Sequence, residues 1–210
     1  MRFLFLITLF LSQSCINETK KLPIYGRSEI IPKKVNGKII NDTLYHKIKD
    51  FSFYNQDSLL VTNNTFKNSI YITDFFFTSC PTICPIMKSN LLKVYDSFKN
   101  NNKVKFLSHT INPEFDTIEI LNKYSEKLGV KSSIWHFVTG EYSTLYDLAQ
   151  TSYMVSALKD ENEPGGFLHS GTFLLIDTNR HIRGIYDGTN DLEINRLIQD
   201  VNILFNSISE

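Results

Sequence analysis

Ile70-Tyr-Ile-Thr-Asp-Phe-Phe-Phe-Thr-Ser-Cys80-Pro-Thr-Ile-Cys84-Pro85 is the stretch whose reading decides the fold. Its first half is β-branched and aromatic with no polar alternation, the pattern of a strand buried on both faces. Pro85 suits the first turn of a helix, where a missing N–H costs nothing. Two cysteines are thus expected at a strand-to-helix turn, where the helix N-terminus favours negative charge and lowers a thiol pKa. In an ideal helix, residues four apart have Cα atoms about 6 Å from each other. That lies inside the disulfide window of roughly 4.4–6.8 Å, and Pro81 lets the turn bend. The same geometry lets both sulfurs converge on one metal ion, so the spacing leaves redox chemistry and metal binding both open.

Outward from this stretch, strands and helices alternate. Short strands are expected at 51–53 and 59–61 around an Asn55-Gln-Asp-Ser turn. Further strands follow at 104–111 and 134–138, with helices at 85–99, 117–128 (stopped by Gly129) and 141–150. A hairpin over 172–186 turns at Thr178-Asn-Arg, and an amphipathic helix over 191–204 closes the chain. This order predicts an α/β protein of thioredoxin-like fold: a central mixed sheet flanked by helices, with an N-terminal hairpin extension.

The 210 residues, 42% hydrophobic, suffice for one domain. With 22 basic and 22 acidic side chains the formal net charge is +0, which argues against nucleic acid or an anionic membrane as the main partner. Residues 1–15 carry one positive charge, an apolar run over 3–11 and then Ser-Gln-Ser-Cys15. The run is too short to cross a bilayer core of ~30 Å but fits a signal peptide. Cys15 resembles the acceptor of a bacterial lipoprotein signal, although Gln13 departs from the small-residue box. Signal cleavage without lipid and an uncleaved anchor are the alternatives. Each exports the protein, and lipidation would leave it on a bacterial membrane facing the periplasm, where Cys80 and Cys84 can oxidise. Residues 16–45 read as a polar tether and 46–210 as the folded domain.

A third ligand would separate metal from redox chemistry. His169 precedes the apolar strand beginning near Thr172 and follows Glu163-Pro-Gly-Gly166; in a thioredoxin-like sheet the loop entering that strand lies beside the cysteine turn. Two thiolates and an imidazole form a soft set suited to copper, sulfur favouring Cu(I) and imidazole accommodating Cu(II).

At these residues the chain resembles the Sco/SenC family of copper-binding, thioredoxin-like proteins. The matching pieces are Thr78-Ser-Cys80-Pro-Thr-Ile-Cys84-Pro85, His109-Thr-Ile-Asn-Pro-Glu-Phe-Asp116-Thr117, His169, and Arg183-Gly-Ile-Tyr-Asp187-Gly. The resemblance implies Cys80, Cys84 and His169 as ligands of copper, Cu(I) or Cu(II). It further implies delivery of copper to, or reduction of cysteines in, the binuclear centre of the copper-bearing subunit of cytochrome c oxidase, with a thiol reductant as a second partner. Cys80 and Cys84 would also be the redox-active pair. Thr82 and Asn112 stand where the family usually has aspartate. A thiol-disulfide oxidoreductase or thiol peroxidase of the same fold is the alternative. Against it stand three residues between the cysteines in place of two, Ser170-Gly171 where thioredoxins have a proline, and no arginine placed to polarise a peroxide. A structural zinc site would want four ligands, and three are identifiable.

Other residues carry expectations of their own. His46 and His181 are expected to be solvated, as are Arg180 and Arg183. His109 is expected to be buried and hydrogen-bonded, with a place behind the metal ligands as the alternative, His136 in the core, and Asp116 as a helix cap before Thr117. Asp74 is anomalous in a buried strand, an anchor for the cysteine loop or a partner to a polar neighbour. Tyr153 and Met154 fit either packing or the flank of a metal.

Overall fold

A computed structural model describes residues 21–160, 162–163 and 165–209, with the side chains of 168, 169, 208 and 209 outside the described set. Cys15 and the expected signal segment also lie outside the described residues. In chain order the strands are β1 (Glu29–Val35), β2 (Lys38–Leu44), β3 (Ser52–Asn55), β4 (Leu60–Thr62), β5 (Ile70–Phe76), β6 (Val104–Thr110), β7 (Trp135–Thr139), β8 (Ala157–Lys159), β9 (Phe167–His169), β10 (Thr172–Ile176) and β11 (Ile182–Asp187). The helices are α1 (Cys84–Phe98), α2 (Ile118–Leu128), α3 (Tyr142–Asp147), continued by a π-helical turn to Ser152, and α4 (Asp191–Ser209).

Seven strands form one mixed sheet in the order β11-β10-β5-β6-β7-β3-β4, parallel across β5, β6 and β7 and antiparallel elsewhere. This is the thioredoxin-like arrangement expected, with the β3–β4 hairpin added at one edge. All seven residues of β5 are buried, because helices or packed loops cover both of its faces. On one face Phe76 meets Tyr124 of α2 and Lys88 of α1. On the other, Phe75 stacks on His109 and meets Tyr153 edge-on. Met87, Leu91, Val94 and Phe98 recur at helical spacing along α1 and are buried, as are Ile194, Leu197, Val201 and Leu204 along α4.

The stretch expected as a tether carries regular structure. Strands β1 and β2 pair antiparallel in a separate two-stranded sheet. Asn36 and Gly37 form its turn with φ of 50° and 79°, the conformation that Asn-Gly supplies in two-residue hairpins. Ahead of it, Leu22 is buried. Tyr25 N–H donates to Ile182 O at 2.8 Å, and the Arg183 guanidinium donates to the carbonyls of Leu22 and Pro23.

Several expectations of solvated side chains are corrected by long-range partners. Arg183 also pairs with Asp177 at 2.9 Å, whereas Arg180 keeps a solvent-accessible side chain as expected, paired with the exposed Asp50. His46 Nε2 lies 2.6 Å from Ser152 O, which ties the end of the N-terminal segment to the π turn. His181 is largely covered, its Nδ1 3.5 Å from Asp177 and its ring against Tyr45. Tyr153 is a core residue whose hydroxyl meets that of Tyr71 at 3.1 Å, whereas Met154 is exposed.

Candidate metal centre

The chain leaves β5 at Phe76 and enters α1 at Cys84, so seven residues must turn without regular structure. Asp116 fixes the start of that turn. Its carboxylate accepts from the Thr78 backbone N–H at 3.1 Å and from the hydroxyls of Thr78 and Thr110. Burial pushes the Asp116 carboxyl upward, and the donors from Thr110 and Thr78 oppose that shift. The cap of α2 is instead Thr117, whose side chain accepts from Ile120 N–H. The cap expected at Asp116 is therefore a clamp, and it holds the residue two positions before Cys80.

Both cysteines are thiols not joined in a disulfide, 8% and 3% exposed, and they hydrogen-bond each other. Cys84 is the first residue of α1, and Ile83 before it offers no side-chain cap. The Cys80 sulfur sits at the start of the helix, beside the backbone N–H groups of Thr82 and Cys84 and 3.6 Å from the Thr82 hydroxyl. Burial would raise the Cys80 thiol, but the Cys84 S–H, the two N–H groups and Thr82 together hold it below the ordinary thiol value. Cys84 goes the other way. Burial pushes it well up and the neighbouring Cys80 adds to the shift, against weaker opposition from Phe77 N–H and Lys88. The two thiols at the helix N-terminus are therefore shifted in opposite directions, Cys80 downward and Cys84 upward.

The two sulfurs line a cleft of about 350 Å³ together with Thr78, Pro85, Lys88 and Tyr124. Beneath it lies a buried ion pair. Lys88, one turn beyond Cys84, meets Asp74 of β5 at 2.6 Å with both side chains almost fully buried. Ser108 of β6 donates to Asp74 and accepts from Lys88 Nζ and Trp135 Nε1. The anomalous Asp74 thus ties β5, β6 and α1 together under the cysteines. Sequence reasoning did not find Lys88; a lysine among Met87, Leu91 and Val94 was the available sign.

His169 closes β9, where its backbone pairs with Ala157 of β8. The flanks of β9 bracket the cysteine turn. Phe167 packs on Phe77 at 5.3 Å. A Cβ at Gly165 would meet the Phe77 ring at 2.8 Å, so only glycine allows that approach. On the far side, Gly171 faces Ile83 and Met87. The His169 side chain is outside the described residues, and among the described residues no three His, Cys, Asp or Glu side chains cluster. His109 and His136 are core residues as expected. His109, fully buried, bonds Thr73 and sits among Phe51, Phe53, Phe75 and Tyr153; His136 bonds Asn55. Burial lowers their pKa values to about 3 and about 4.

The SCO1/SenC family model matches residues 41–205. The chain belongs to the SCO1/SenC family. Among solved structures this Sco chain is similar to a SCO1/SenC family lipoprotein from Bacillus anthracis, with TM-score 0.70 and 28% identity over 76% of this chain and 95% of that one. It is also similar to BsSco, described as a member of the Sco family of cytochrome c oxidase assembly proteins with a disulfide switch, with TM-score 0.67 and 27% identity over 76% and 93%. The fold is shared with Arabidopsis thaliana ScoI, whose structure is described with copper bound, at TM-score 0.63 and 23% identity over 75% and 98%. No helix among the described residues is long and apolar enough to cross a membrane.

Proposed function

We propose that this Sco chain is an exported copper-binding protein acting in cytochrome c oxidase assembly, anchored through lipid on Cys15 and holding copper with Cys80, Cys84 and His169. One observation carries the reading: two buried, mutually bonded sulfurs at the mouth of a small cleft, one of them predisposed to ionise. Paired thiolates suit Cu(I), and an imidazole completes a set that also accepts Cu(II). Family membership supports the same cargo.

The two thiols differ in what they contribute. Cys80, shifted downward, gives up its proton to the incoming ion more readily than Cys84. Cys84 must also give up its proton as the second Cu–S bond forms, so loading releases protons and strengthens with rising pH. A disulfide oxidant that takes two electrons from the pair is itself reduced to a dithiol and leaves a Cys80–Cys84 disulfide, which has no thiolates to hold copper.

The same asymmetry favours a second reading, reduction of a disulfide in the copper-bearing subunit. The Cys80 thiolate attacks one sulfur of that disulfide and expels the other as a thiolate. Cys84 then loses its proton, attacks Cys80 and frees the second thiol, leaving a Cys80–Cys84 disulfide and a reduced dithiol acceptor. An external thiol reductant restores the pair.

Copper content and free thiols measured on one purified sample test the proposal. One copper per reduced cysteine pair is expected, lost in step with disulfide formation and weakened in His169→Ala. Absence of copper, with undiminished disulfide reduction in His169→Ala, would replace the carrier with an oxidoreductase.

A further inference from the structure

The whole-chain charge of zero conceals a division. Residues 16–44 carry six cations and three acids, net +3, whereas residues 45–210 carry fifteen cations and nineteen acids, net −4. Within the positive segment the β1–β2 hairpin, residues 29–44, holds three cations and two acids, and Lys20, Lys21 and Arg27 precede it. Thirteen of the fourteen strand residues in that hairpin are exposed, all but Asp42. Two-stranded hairpins are marginal in water unless something covers a face, and this one leaves Ile30 and Ile39 72% and 74% exposed.

The register separates its two faces. Glu29, Ile31, Lys33 and Val35 share one face with Lys38, Ile40, Asp42 and Leu44, and Lys33 is paired there with Asp42 at 2.9 Å. Ile30, Pro32 and Lys34 share the other with Ile39, Asn41 and Thr43, and no carboxylate stands on that face. Aliphatic side chains flanking a lysine match a lipid interface with anionic headgroups.

The hairpin's position in the fold fits such a surface. Its stems are fixed by Tyr25 to Ile182 and by Ile48 to Arg180, at the β10–β11 turn. β10 runs antiparallel to β5, with Ile176 opposite Tyr71, so this turn lies at the end of the sheet where β5 begins. Cys80 follows the other end. Seven Cα-to-Cα steps lead from Cys15 to Leu22, a reach of at most about 25 Å, so a lipid on Cys15 keeps this end near the bilayer.

We infer that the Ile30–Lys34–Ile39 face of the hairpin lies on an anionic lipid surface and turns the cysteine end of the sheet outward. The inference rests on the lipid-anchor reading for its geometry, and the two are tested separately. The full processed chain, with Ile39→Trp, is reconstituted on vesicles of phosphatidylcholine with or without phosphatidylglycerol. Protein mass reports the lipid and co-sedimentation reports attachment. Quenching of the introduced indole by brominated acyl chains reports hairpin contact, with buried Trp135 as the internal reference.

The introduced indole is expected to be quenched on phosphatidylglycerol vesicles and much less on phosphatidylcholine alone. Lys34→Glu, a change of two charges, should weaken this contact roughly 25-fold, at ~5-fold per unit of charge, with attachment retained. A chain that sediments with its lipid while the hairpin indole stays unquenched overturns the hairpin contact and leaves the anchor standing. A chain without lipid mass whose hairpin indole is still quenched at high phosphatidylglycerol overturns the anchor and supports the hairpin. Equal quenching on both vesicle types removes the charge argument and overturns the proposal. Shielding of the indole that grows with protein concentration and needs no lipid overturns it in favour of pairing between two hairpins.

Discussion

Replacing Lys88 with methionine tests whether the ion pair beneath the cysteines is a structural keystone. Lys88 Nζ lies 2.6 Å from Asp74, with side chains 4% and 0% exposed, and 4.1 Å from the centroid of Phe76. Methionine fills similar volume but leaves the Asp74 carboxylate, still hydrogen-bonded by the Ser108 hydroxyl, without its counter-charge. Breaking one side of a buried pair costs about 3–5 kcal/mol. At about 2–4 °C per kcal/mol for a domain of this size, the melting temperature should fall by roughly 6–20 °C. Asp74→Asn in the same chain removes the stranded charge and keeps an oxygen for Ser108, so the double variant should recover most of the loss. Urea unfolding of the reduced protein, followed through Trp135, reads this directly because its indole donates to Ser108 at 2.9 Å. A single variant losing less than about 1 kcal/mol, or a double variant no better than the single, would refute the reasoning.

Three further outcomes follow from the buried groups. His109 and His136 stay neutral in the fold down to about pH 3 and about pH 4, while the unfolded chain protonates them near 6.5. The unfolded state therefore binds the extra protons, and stability, complete above pH 6.5, falls as pH drops toward 4. The slope should be about 1.4 kcal/mol per pH unit for each histidine, and urea titrations at stepped pH should show one histidine's share removed in His109→Phe. Iodoacetamide at neutral pH should alkylate Cys80 well before Cys84, as peptide mass spectrometry of briefly treated protein can establish; preferential labelling of Cys84 would reverse the assigned roles. Asp116→Ala strands the Thr78 N–H beside the cysteine turn, costing about 1–3 kcal/mol, and hydrogen exchange at residues 78–84 should quicken more than in β6.

The sheet and its order were legible because β5, α1 and α4 carry unbroken periodicity and Gly129 ends α2 with φ of 68°. The β1–β2 hairpin was not, because its isoleucines come as the doublets Ile30-Ile31 and Ile39-Ile40, which alternate on neither face. Asn36-Gly37 between them was the turn signal that would have found it. β8 and β9 are three residues each and are joined through Glu163-Pro-Gly-Gly166, which reads as loop. Within the site, the cysteine turn was legible from one segment. The clamp from Asp116 was not, because its partners Thr78 and Thr110 lie on two other elements while Thr117 next to it offered a local explanation. The long-range ties of His46 to Ser152 and of Arg183 to Leu22 and Pro23 join positions more than a hundred residues apart, beyond any local pattern.

X-ray absorption at the copper edge of the reduced, Cu(I)-loaded protein, beside Cys80→Ala, Cys84→Ala and His169→Ala, addresses the central claim most directly. The wild-type protein should give two sulfur scatterers and one imidazole, with one sulfur lost in each cysteine variant and the imidazole lost in His169→Ala. A first shell without sulfur, or an imidazole that persists in His169→Ala, would contradict the proposed copper centre.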